Sequence, residues 1–209
     1  FGQGHFTYIG SGSGRGSVGD VNVAIGQLAG QSVTGSANVG MGLWTGWRIT
    51  GDRNTALGMA AGQSFTGDNN VALGRWAGSE LTTAGGTAKI ERSVSIGDAS
   101  RGYANDSVAI GTSAVAGVKD QAGTIDNAIA IGNGAQATAA KSISIGTGNV
   151  VSGANAGAIG DPSYVSGAGT YTIGNNNGTA AAPVAATESG AFGNNNALPT
   201  ASTTGIRVV

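Results

Sequence analysis

A five-residue phrase, in its commonest form polar-Val-Ala-Ile-Gly, returns through the chain at a near-constant interval, and few folds accept such a pattern. Its closing glycines are Gly10, Gly26, Gly42, Gly58, Gly74, Gly97, Gly111, Gly132, Gly146, Gly160, Gly174 and Gly193. The interval is 16 residues across the first five and settles to 14 later, with longer gaps of 23, 21 and 19 where a repeat carries extra residues. Two further columns keep register in the 16-residue family: Gly14, Gly30, Gly46, Gly62 and Gly78, then Gly19, Gly35, Gly51 and Gly67. Three glycines at fixed offsets let a chain turn at the same places in every repeat.

The residues before each anchor form apolar-small-apolar triplets. Their outer members are Val23 and Ile25, Val39 and Met41, Thr55 and Leu57, Val71 and Leu73, Val94 and Ile96, Val108 and Ile110, Ile129 and Ile131, and Ile143 and Ile145. This period-2 alternation of β-branched residues predicts a short strand whose paired side chains face one way. The pairs are assigned to the interior of the fold, as the core of the repeat. A second, weaker strand follows, with Val33, Ile49, Phe65 and Leu81 beside Thr34, Thr50, Thr66 and Thr82. No segment holds helical i, i+3, i+4 spacing for three turns, and glycine costs about 1 kcal/mol at each helical position. Strand, turn, strand, turn in 14–16 residues is one rung of an all-β parallel solenoid, with rungs stacked about 4.8 Å apart. The chain divides into residues 1–92 with 16-residue rungs, 93–174 with 14-residue rungs, and 175–209, where the repeat degenerates. Insertions fall within Gly78–Lys89 and Val118–Thr124. Opening on Phe1, the chain reads as an excised segment or a processed product.

Composition narrows the chemistry. There is no Cys and one His, so no disulfide, no Cys or His-pair metal site and no Cys nucleophile is available. No catalytic residue, metal or cofactor is assigned, and His5 has no partner placed by the repeat. A net charge of −1 offers no footprint for nucleic acid. Each rung carries little apolar bulk, while ordering a residue costs about 1–2 kcal/mol. A thin, glycine-rich roll is therefore expected to associate with copies of itself.

Asn22-Val23-Ala24-Ile25-Gly26, Ser93-Val94-Ser95-Ile96-Gly97, Ser107-Val108-Ala109-Ile110-Gly111 and Ser142-Ile143-Ser144-Ile145-Gly146 resemble the head repeats of trimeric autotransporter adhesins of the YadA-like group. The resemblance spans nearly the whole chain and is best from Ser93 to Gly174. It implies a left-handed parallel β-roll assembled side by side as a homotrimer. It also implies a location at the cell surface of a Gram-negative bacterium, with an outer-membrane anchor beyond this segment. The implied partner is a host extracellular matrix protein or cell-surface receptor. The 16-residue rungs and the two insertions depart from the family's basic rung, and no heptad stalk or anchor barrel lies within the sequence.

Candidate ligand-binding residues follow from position. Trp47 shares its offset with Gln31, Gln63 and Ser79 and is expected to be exposed beside Arg48, as a contact hot spot or an inter-chain contact. Trp44 shares its offset with Leu28, Ala60 and Trp76 and is expected to pack in the interior or between chains. Arg101 and Tyr103 are assigned to a turn, and Lys119 and Asp120 to a protruding loop. The column Asn22, Asn38, Asn54 and Asn70 is read as stacked amides in preference to a ligand ladder. Three other functions stand beside adhesion. A spacer or fibre segment would need no ligand. An ice-binding face would need more than the single Thr column the sequence supplies. A solenoid acyltransferase would need six-residue periods and a catalytic His.

Overall fold

The computed structural model describes residues 5–80, 89–119, 121, 125–198 and 207–208. Among these there is no helix, and the chain winds as a parallel β-solenoid. One long sheet holds thirteen parallel strands stacked in chain order. They are Thr7–Ile9, Val23–Ile25, Val39–Met41, Thr55–Leu57, Val71–Leu73, Val94–Ile96, Val108–Ile110, Ile129–Ile131, Ile143–Ile145, Gly157–Ile159, Tyr171–Ile173, Gly190–Phe192 and Arg207–Val208. Register is identical from rung to rung, so that Ala24 lies beside Gly40, Gly40 beside Ala56 and Ala56 beside Ala72.

The second wall differs between the two repeat families. In the 14-residue rungs it is a sheet of five two-residue strands: Arg101–Gly102, Val115–Ala116, Gln136–Ala137, Val150–Val151 and Tyr164–Val165. In the 16-residue rungs it shrinks to single bridges linking Val18, Thr34, Thr50 and Thr66. The Thr column thus carries the backbone ladder there, while its neighbours Val33, Ile49 and Phe65 turn inward and are buried. Leu81 and Thr82 lie outside the described residues.

The side chains that fill the roll are not the ones the triplets suggest. The small middle residues, Ala24, Ala56, Ala72, Ala109, Ala130 and Ala158 among them, are buried. The flanking pairs are not. None of Val23, Ile25, Val39, Met41, Leu57, Val71, Leu73, Val94, Ile96, Val108, Ile110, Ile129, Ile131, Ile143 and Ile145 is buried within the chain, and Met41 and Leu57 are exposed outright. The inward assignment of these fifteen is therefore corrected: they stand on the outer face of the long sheet. The reason is the thinness of the roll. Across from Ala109 and Ala130 stand Ala114, Ala116, Ala135 and Ala137, in a cluster made of alanine. Two facing methyls fill that gap, so the larger members of an alternating strand must point away.

Where the opposing wall is bulkier, the corner after the anchor gives way. Phe65 packs in one cluster with Ala56, Ala61, Ala72 and Ile90. A Cβ built on Gly62 would lie 2.7 Å from the Cβ of Ala56 and 3.1 Å from the Phe65 ring. At the anchors the constraint comes from the next rung: φ at Gly26 is +130°, and a Cβ there would lie 2.3 Å from the carbonyl oxygen of Gly42. The repeat needs glycine at both positions for lack of space as well as for conformation.

Candidate binding surfaces

The asparagine column is structural. The Oδ1 of Asn38 accepts from the backbone N–H (2.9 Å) and the Nδ2 (3.1 Å) of Asn54, whose own Oδ1 does the same for Asn70. The Nδ2 of Asn54 also donates to the carbonyl of Gly67 at 2.9 Å. All four side chains are buried and bonded along the axis, so no ligand meets them. Ser93 takes over the offset, its Oγ donating to the carbonyl of Gly102 at 2.9 Å.

The corner after each anchor turns outward through left-handed backbone. Leu28, Trp44, Ala60 and Trp76 all have φ of 54–56°, a region that costs a non-glycine residue about 1–2 kcal/mol. Inter-rung bonds hold it: Trp44 N donates to the carbonyl of Gln27, Ala60 N to that of Leu43 and Trp76 N to that of Met59, at 2.9–3.1 Å. The result is a column of side chains aimed off the roll. Trp44 is 49% exposed and Trp76 45%, so Trp44 is not interior. Trp47, expected to be exposed, is partly covered. Arg48 lies over its ring at 5.3 Å, and both tryptophans line a hollow of about 300 Å³ with Leu28, Gln31 and Gln63. Trp44 also lines an adjoining hollow of about 400 Å³ with Ala60, Gln63, Trp76, Ser79, Glu80 and Arg101.

The other candidates are engaged within the chain. Arg101 lies on the first short-sheet strand, not in a turn, and its Nη1 donates to the carbonyl of Trp76 at 2.9 Å. Tyr103 packs against the Phe65 cluster. Lys119 pairs with Glu80 at 3.1 Å, joining the edges of the two insertions, and Asp120 lies outside the described residues. His5 is exposed, and its backbone N–H donates to Asp20 at 2.6 Å. Among the described residues no group of three or more His, Cys, Asp or Glu is placed to hold a metal.

Charges pair between rungs and, at Arg92, also with the neighbour in the chain. Arg75 makes two bonds to Asp98, and Arg92 reaches both Asp106 and Glu91. These guanidinium bonds hold the Asp98 and Asp106 carboxyls below the usual carboxylate range. The sequence offered Trp47 and Arg48 as candidates and placed Trp44 in the interior or between chains, whereas Trp44 and Trp76 stand exposed on the single chain. The signal was present, since residues sharing an offset share an orientation, but interior or inter-chain packing was the default assignment for a tryptophan in such a column. No protein-family model matches the chain, and a comparison with curated proteins finds no match.

Proposed function

We propose that this chain is the head of a surface adhesin: left-handed β-rolls packed three abreast through the outer faces of their long sheets. The observation that carries the reading is that outer face. Each of the twelve strands from Thr7–Ile9 to Gly190–Phe192 ends in Ile, Met, Leu or Phe, and seven of those between Val23–Ile25 and Ile143–Ile145 add a Val or Ile beside it on the same face, a strip on the order of 50–55 Å long. Ile9, Ile159 and Ile173 are among its most exposed members. Apolar strips of this extent are what subunit interfaces cover. The resemblance of the repeat phrase to YadA-like heads supplies the threefold arrangement, the handedness and the location at a Gram-negative outer membrane. The partner would be a matrix protein or cell-surface receptor, engaged by contact alone. Three chains with repeated rungs turn weak contacts into firm attachment through effective concentration.

Light scattering on the purified chain tests the assembly, and the expected mass is three times the 20.1 kDa of one chain. A single-chain mass at micromolar concentration overturns it. Solid-phase binding to matrix proteins and attachment to epithelial cells test the activity. A trimer that attaches to neither would be a spacer.

A further inference from the structure

The column Leu28, Trp44, Ala60, Trp76 alternates large and small at its centre. Two indoles on adjacent rungs would stack on each other and leave no room. Placed two rungs apart, with Ala60 between, they stand about 9.6 Å from each other along the axis. Ala60 is only 2% exposed and forms the floor. Both rings line the same hollow. Arg75 lies over the Trp76 ring at 4.9 Å and is bonded to Asp98 in the following rung. That pairing ties the guanidinium to the rung on the far side of Trp76 from Ala60. Arg101, fixed on the carbonyl of Trp76, braces the same residue from below.

The slot's dimensions and rim select a ligand class. Carbon atoms in contact sit about 3.5–4.0 Å apart. A puckered pyranose has C–H bonds on both faces, so it can rest on an indole of either rung and is thicker than a flat group. Polar groups at the rim are the Gln63 amide and the Ser79 hydroxyl, both able to bond sugar hydroxyls. Of the charges at the slot, Glu80 is paired with Lys119, Arg75 with Asp98, and the Arg101 guanidinium is turned onto the Trp76 carbonyl, so the contacts offered to a ligand are the neutral Gln63 and Ser79 groups and the indole faces. We infer that the Trp44–Ala60–Trp76 slot binds one ring of a neutral oligosaccharide, with the adjoining Trp47 hollow taking the next part of the chain. This rests on the adhesin reading and names the chemistry its partner presents, a glycan.

The test uses the full chain on an array of neutral oligosaccharides of hexose and N-acetylhexosamine units, followed by titration of the best binder through tryptophan fluorescence. Trp44→Ala and Trp76→Ala are each expected to weaken binding about tenfold, as for truncated aromatic anchors. Ala60→Trp is the decisive variant. Tryptophan is accepted at this offset and φ in both flanking contacts, so the fold is expected to persist while the slot is filled and binding is lost. The inference is overturned if no neutral oligosaccharide binds at millimolar concentration, or if Ala60→Trp binds as wild type. It is equally overturned if Trp44→Ala lowers the assembly mass, which would make the column a contact between chains. Attachment of Ala60→Trp to cells and matrix at wild-type strength, with the array blank, would remove the glycan and leave the adhesin standing. Failure of the wild-type chain to attach at all would remove both.

Discussion

Ile110 stands on the outer face of the long sheet and Ala109 on its inner face, one residue apart. Their substitutions by aspartate should separate folding from association. Ala109→Asp drives a carboxylate into the alanine cluster, where burying a charge without a partner costs several kcal/mol, and is expected to unfold the roll. Ile110→Asp puts the charge on the outer face. Circular dichroism should stay native while light scattering reports single chains. If Ile110→Asp instead unfolded the chain, that side chain would belong inside. At this scale the alternation was legible in the sequence, since period 2 follows from the strand alone. Which side faced inward was not, because that depends on the distance to the opposite wall.

Asparagine, glycine and left-handed corners make each rung a copy of its neighbour, and the bonds between rungs hold the copies in place. Asn54 is a middle link of its ladder. Asn54→Ala would strip the Asn38 amide oxygen of one of its two donors, the Gly67 carbonyl of its Nδ2 bond, and the backbone N–H and Nδ2 of Asn70 of their shared acceptor. Buried groups left unpaired cost about 1–3 kcal/mol each, so a loss of about 2–5 kcal/mol is expected in denaturant unfolding. Asn54→Ser, the residue that Ser93 places at this offset, should recover part of it. Acid acts elsewhere on the rung. The folded forms of Asp98 and Asp106 hold their protons less tightly than the unfolded chain does. Their contribution is therefore fully present above the ordinary carboxylate pKa of about 4 and is lost as pH falls below it. Thermal midpoints should be flat from pH 8 to about 5 and decline only in more acid solution, by a small amount because both pairs are exposed.

For the whole molecule the expected far-UV spectrum is that of strand and turn without helix, and an association driven by the apolar strip should persist in high salt. Dissociation by salt alone would point to the exposed ion pairs as the contact instead. The parallel, in-register, all-β roll was legible in the amino-acid sequence, because identical glycine offsets permit one turn geometry per rung and the β-branched triplets permit one strand. The asparagine ladder was legible for the same reason: a repeated offset places like beside like. Tertiary structure decided three things. It set the roll so thin that alanines, and not the valine and isoleucine pairs, became its interior. It reduced the second wall of the 16-residue rungs to a threonine bridge with Val33, Ile49 and Phe65 behind it. It also turned Trp44 and Trp76 outward around a buried alanine. Each depends on the separation of walls far apart in the rung, and no local pattern encodes a distance across the core.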